Sequence, residues 1–116
     1  MAFERFTKGE LYKAQFGGDN ARLIDYAGKV VAAKTFALTT DTVNQYEPPR
    51  EVLHLIDTKG VMISAMSQTA ISDFKKLHGI FGNDLKDIEV SSGVTKRGDE
   101  FITLLAGPET LVAFGL

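Results

Sequence analysis

Ser91-Ser92-Gly93-Val94-Thr95-Lys96-Arg97-Gly98-Asp99-Glu100-Phe101-Ile102-Thr103 reads as two extended segments joined by a basic tip that a glycine closes. Before the tip, Ile88, Val90, Ser92 and Val94 share one face of an extended chain. After it, Ile102 and Leu104 share one face and Phe101, Thr103 and Leu105 the other. The tip is expected to hold Lys96 and Arg97 away from the sheet, with Phe101 close behind them. Two cations beside an aromatic ring suit a flexible anionic polymer with stackable bases.

Upstream of this hairpin, Ser67 to Phe81 has the spacing of a helix. Its apolar stripe is Ala70, Ile71, Phe74, Leu77 and Phe81, at intervals of three and four. Ser67 can cap it, Asp73 lies in its first half, Lys75 and Lys76 lie in its second half on an expected solvated face, and Gly82-Asn83 can end it. Further back, Glu51 to Ile56 and Val61 to Ala65 read as strands joined by Asp57-Thr58-Lys59-Gly60, a turn with glycine at its left-handed position. Arg22 to Tyr26 and Lys29 to Leu38 read as a first hairpin turning at Ala27-Gly28. Thr39 to Arg50, with Pro48-Pro49, is expected to be an exposed loop, because proline cannot donate to a strand ladder. Phe3, Phe6, Tyr12 and Phe16 fit a loose helix or an arm over residues 1 to 18. Pro108 to Leu116 is expected to dock on the domain as a last strand or turn.

The order is several strands, one helix, then two strands. That order predicts a mainly β domain with one main helix, an OB-like five-stranded Greek-key barrel whose helix plugs the barrel end between the third and fourth strands. An α+β sheet with its helix on one face gives nearly the same linear pattern, as does a sandwich with one helix, so periodicity alone leaves closure open.

With 116 residues, 44% of them hydrophobic, the chain is expected to form one domain over residues 1 to 116. The absence of cysteine excludes disulfides, thiolate nucleophiles and sulfur-ligated zinc. No apolar run is long enough to span a bilayer and Met1-Ala2-Phe3-Glu4-Arg5 lacks the pattern of a signal peptide, so a cytoplasmic protein without a membrane partner is expected. Net charge is −2; residues 1 to 50 carry seven bases against six acids, and residues 51 to 116 carry six against nine. Phosphate attraction over a broad basic face is therefore not expected to dominate, and stacking is.

Nothing in the sequence resembles a catalytic or metal motif, so a non-enzymatic protein with no cofactor and no metal is expected. His54 and His78 stand far apart with no short ligand spacing, and read as a strand residue and a helix surface residue. Gly17-Gly18-Asp19-Asn20-Ala21 lacks the lysine of a phosphate-binding loop, and Ser64-Ala65-Met66-Ser67 is not a nucleophile elbow.

Three pieces of the chain carry a resemblance. They are Asp57-Thr58-Lys59-Gly60-Val61-Met62-Ile63-Ser64-Ala65-Met66-Ser67-Gln68-Thr69, the helix that follows to Phe81, and Val90 to Thr103. From His54 to Leu105 the sequence resembles the C-terminal half of the small single-stranded DNA-binding proteins of tailed bacteriophages, including those that replicate linear genomes from a terminal-protein primer. Gly93-Val94-Thr95-Lys96-Arg97-Gly98 and Phe101-Ile102-Thr103 match the tip and following strand of a similar hairpin there. The resemblance implies sequence-independent binding of single-stranded DNA in phage replication, within an infected host cell, with replication proteins as further partners. Many such proteins recruit those partners through an acidic tail, where this sequence has Phe114-Gly115-Leu116.

An OB groove would draw its aromatic surfaces from Tyr26, Phe36, Tyr46 and Phe101, and its positive charge from Lys29, Lys34, Arg50, Lys59, Lys96 and Arg97. Lys29 and Lys34, five apart, fall on opposite faces of an uninterrupted strand, and only a bulge or bend would bring both to one groove. A second reading is a small phage or bacterial protein-interaction module that uses the basic hairpin and the apolar C-terminal tail, the tail also serving self-association. RNA binding on the same groove is a third.

Overall fold

A computed structural model describes residues 3–4, 6–18, 20–41 and 50–116, with the side chains of residues 3, 4, 41 and 50 outside the description. In chain order the elements are strand β1 (Phe3–Glu4), helix α1 (Lys8–Phe16), strand β2 (Ala21–Arg22), strand β3 (Val30–Asp41), strand β4 (Arg50–Asp57), strand β5 (Met62–Ala65), helix α2 (Gln68–Phe81), strand β6 (Asp87–Val94), strand β7 (Glu100–Ala106) and helix α3 (Pro108–Ala113).

The sheet runs in the order β2-β5-β4-β3-β6-β7, and β1 pairs with β3 off that path. The β2–β5 pair is parallel and the others are antiparallel, so the sheet is mixed. The first part of β3 pairs with β6, from Val30 opposite Glu89 to Ala32 opposite Asp87. The rest pairs with β4, ending with Asp41 opposite Arg50. Between the two the register slips: Ala33 faces Asp57 and Thr35 faces Ile56, which leaves Lys34 as an extra residue. Such a bulge reverses the side-chain alternation and sharpens the twist. Val31 and Phe36 therefore enter the same core although they are five apart. The sheet curls into a half-barrel around that core.

Inside the curl, Leu23, Phe36, Leu38, Leu53, Leu55, Ile63, Ile88 and Val90 pack against Ala70, Ile71 and Phe74 of α2. The Phe74 ring meets Phe36 edge-on at 5.0 Å, a favoured aromatic geometry. The α2 start is capped by Ser67, whose side chain accepts from the Ala70 amide, and Gly82 ends it with φ of 57°. Along its length α2 lies on the outer edge of β7. Thr69 Oγ1 donates to the Ile102 carbonyl at 2.7 Å, and the Leu104 amide donates to Asp73 Oδ2 at 3.0 Å. Thr69 and Asp73, one helical turn apart, thus satisfy a strand edge that would otherwise stand open.

On the outer face of the sheet, α1 buries Ala14 and half-buries Leu11 over Ala37, Ile56 and Met62, with Phe6 beside them. Its start carries a capping box: Thr7 accepts from the Glu10 amide, and Glu10 accepts from the Thr7 amide. At its end, Asn20 Nδ2 donates both to the Ala14 carbonyl at 2.8 Å and to Ser64 Oγ on β5 at 3.0 Å. That Ser64 hydroxyl lies 2.7 Å from His54 Nδ1 on the neighbouring strand. A short polar chain therefore ties the helix to the sheet.

The main helix, the Asp57 to Gly60 turn and the closing hairpin stand where the sequence places them. Three expectations are corrected. Arg22 to Tyr26 does not form a hairpin with Lys29 to Leu38: Leu23–Tyr26 is a 3₁₀ turn that buries Leu23, and Ala21 and Arg22 pair with β5 instead. Thr39 to Asp41 are not loop but the end of β3, opposite Val52, Glu51 and Arg50. The C-terminal segment is not a strand but α3, which opens on Pro108, a residue suited to the first helical position. Two side chains also differ from expectation. Lys75 forms an ion pair with Glu51 at 2.7 Å. His78 is half-buried, its ring edge-on to Phe36 at 5.4 Å. No helix among the described residues is long and apolar enough to cross a membrane.

Candidate functional site

The two ends of the curled sheet, β2 beside β5 on one side and β7 on the other, leave a cleft of about 680 Å³. Its walls come from four places. Thr39, Thr40 and Val52 line it from the ends of β3 and β4 that lead into residues 42–49; Ser64 and Ala65 line it from β5 and Met66 from just after it; Gln15, Phe16 and Arg22 line it from the end of α1 and from β2; and Glu100, Phe101 and Ile102 line it from the start of β7. The ends of β3 and β4 and the start of β7 therefore border the same opening.

That tip is built by local chemistry. The Gly98 amide donates to the Thr95 carbonyl at 2.9 Å, the Thr95 amide to the Asp99 carbonyl at 2.8 Å, and the Asp99 amide to Thr95 Oγ1 at 3.1 Å. Gly98 supplies the left-handed backbone, with φ of 89°. Lys96 and Arg97 occupy the two central positions of this turn and are exposed. Neither forms an ion pair with another described residue. Phe101 is half-buried in the cleft wall, its ring over Gly93 of the opposite strand.

The other expected contact residues divide. Phe36 is corrected outright: at 1% exposure, wedged against Phe74 and His78, it has no face for a base. Tyr26 is half-buried against the main core. Lys34 and Lys59 are exposed, but at the far end of β4, where Lys34 is the bulged residue between the Ala33–Asp57 and Thr35–Ile56 pairs and Lys59 sits in the turn that follows Asp57. From Val52 to Asp57 the strand advances about 17 Å at ~3.3 Å per residue, so they do not join Lys96 and Arg97. Lys29 is exposed just before β3, its carbonyl accepting from the Val90 amide at 2.9 Å. Tyr46 and the Arg50 side chain lie outside the described residues.

Sequence reasoning left two aromatics out of the site. Tyr12 and Phe16 are 68% and 61% exposed, and their rings stack on each other at 5.2 Å with 26° between planes. Phe16 lines the cleft. The signal that could have found them is the Thr7-Lys8-Gly9-Glu10 capping box, which fixes the start of a helix and so places Tyr12 and Phe16, four apart, on one side of it.

Arg22 and Glu100 bring opposite charges to the cleft, while apolar and neutral polar groups make up most of its wall. Among the described residues, no group of three or more His, Asp or Glu side chains is placed to hold a metal ion. Comparison of the chain with known protein families, with characterised proteins and with solved structures finds no match.

Proposed function

We propose that this domain binds single-stranded DNA without regard to base sequence, and that it serves phage DNA replication, as the resemblance of His54 to Leu105 implies. One observation carries the binding reading: Lys96 and Arg97 project on a hairpin tip beside a cleft that holds Phe101 and Phe16. Cations for phosphates next to rings for bases are what a sequence-tolerant single-strand site requires.

The strand pattern supports an OB-like reading. Counting β3, β4, β5, β6 and β7 as first to fifth, the first pairs with the second and the fourth, the second with the third, and the fourth with the fifth. The α2 helix falls between the third and fourth. OB domains are partly open barrels that bind oligonucleotides near the loops joining strands one to two and four to five. Here those positions are residues 42–49, which include Tyr46, and the tip with Lys96 and Arg97.

A second reading rests on the exposed apolar side chains of the C-terminal segment, Val112, Phe114 and Leu116, which suit a protein partner or self-association. The deciding experiment is titration of a labelled oligo-dT against salt. Binding at low salt that falls as salt rises, with duplex of equal length bound far more weakly, supports the single-strand reading. No binding of oligo-dT at low salt sinks it.

A further inference from the structure

OB domains usually bind over the outer face of their second and third strands. In this chain α1 covers part of that face: Leu11 and Ala14 lie on Ala37, Ile56 and Met62, and the Asn20–Ser64–His54 chain holds the helix end down. A single strand meeting the cleft is therefore met by α1 rather than by bare sheet. The side that α1 turns outward is not an ordinary solvated face. Lys8, Tyr12 and Phe16 follow one another at intervals of four, all exposed, with Phe16 at the cleft and Arg22 in the cleft wall beyond it.

We propose that this stripe on α1 is a binding track for single-stranded nucleic acid, replacing the covered sheet face: bases stack on Tyr12 and Phe16, and phosphates pair with Lys8, Lys13 and Arg22. The proposal rests on the single-strand reading of the cleft and extends it. An aromatic pair four apart also steadies a helix by itself, but a purely local pair has no need of a cleft at one end and a lysine at the other. The charges are complementary to a polyanion. Lys8 and Lys13 are exposed, and Glu10, the one acid of the helix, has its carboxylate turned back to the Thr7 amide at 2.8 Å. The stripe spans nine residues from Lys8 to Phe16, about 12 Å over eight steps of 1.5 Å, which is room for a few nucleotides rather than one.

The experiment compares three titrations of labelled oligo-dT at low salt: the unaltered protein, Lys96→Ala/Arg97→Ala, and Tyr12→Ala/Phe16→Ala. Losing a stacked base weakens single-strand binding by about five- to 150-fold, so the α1 variant is expected to bind at least about ten-fold more weakly. Both rings are exposed, so its thermal melting is expected to stay close to that of the unaltered protein. In parallel, a bromouracil-substituted oligonucleotide is photocrosslinked to the unaltered protein and the adduct mapped, with Tyr12 or Phe16 as the expected site. If the unaltered protein binds oligo-dT while the α1 variant binds within two-fold of it, or the crosslinks fall only outside α1, the track is wrong and the cleft reading stands. If the unaltered protein does not bind, both fall together.

Discussion

The ring of Phe101 lies over Gly93, the residue directly opposite it on the neighbouring strand. A side chain at that position would place its first carbon 2.9 Å from Phe101 Cε1, closer than real contacts allow. An aromatic ring covering a cross-strand glycine protects the exposed backbone and fixes the ring. Here it fixes Phe101 in the wall of the cleft, behind Lys96 and Arg97, instead of letting it fold into the core.

Gly93→Ala is therefore expected to act on the ring more than on the fold. The ring is the movable partner, so the cost in stability is expected at the low end of overpacking effects, about 1 kcal/mol. Oligo-dT affinity is expected to fall several-fold because the ring leaves its seat. Urea unfolding and oligonucleotide titration of the same preparation check both parts; unchanged affinity would show that the position of Phe101 does not matter to binding.

Replacing Lys96 and Arg97 by alanine is expected to weaken binding to all single-stranded sequences alike. Each lost phosphate contact flattens the dependence of log affinity on log salt by about 0.7 on a single strand, so the double variant is expected to lose up to about 1.4 from the slope. Parallel salt titrations of the variant and the unaltered protein measure this. Both side chains are exposed at a turn whose bonds are made by Thr95, Gly98 and Asp99, so thermal stability is expected to stay unchanged.

What could be read from the sequence is what is decided locally. Ser67 and Gly82 bound α2 by capping chemistry, and Asp57 to Gly60 turns because Asp57 Oδ1 accepts from the Lys59 and Val61 amides at 2.9 Å while Gly60 takes a positive φ. Phe36 was not readable in the same way. Its facing depends on the bulge at Lys34, and an extra residue leaves no mark in a run of small and β-branched residues. Arg22 to Tyr26 has strand-like composition, yet Leu23 is drawn into the core by distant elements and the chain takes a 3₁₀ turn. The cleft itself exists only because the curl brings β2 and β7 to opposite walls of one opening, a relation of residues about 80 apart in sequence that no window can contain.

Thr110 and Asp87 illustrate the same limit and give a stability test. Thr110 Oγ1 donates to Asp87 Oδ1 at 2.7 Å and accepts from the Lys86 and Asp87 amides, while the Asp87 carboxylate accepts from the Glu109 and Thr110 amides at the start of α3. Both residues are buried. Thr110→Val keeps the shape and removes the hydroxyl, leaving two amides and a carboxylate oxygen without that partner. The expected loss is about 1–3 kcal/mol, with faster hydrogen exchange at Leu111, whose amide bonds to the Gly107 carbonyl. Denaturant unfolding checks the first and exchange mass spectrometry the second.

The contacts of Thr69 and Asp73 with β7 predict a different kind of failure. Thr69→Ala frees the Ile102 carbonyl and Asp73→Ala frees the Leu104 amide. A neutral hydrogen bond is worth about 1 kcal/mol and one to a carboxylate about 1.5–3 kcal/mol, so the double variant is expected to lose roughly 2–4 kcal/mol. The two substitutions share one edge and one helix, so their effects need not add. The consequence beyond stability follows from the edge itself. With both side chains gone, β7 presents adjacent unpaired groups beside the exposed Leu105, a template for pairing with another chain. Light scattering on mild heating is expected to rise in the double variant at temperatures where circular dichroism still reports the fold. A purely destabilised protein would scatter only as it melts, so aggregation that strictly tracks unfolding would show that α2 adds stability without guarding the edge.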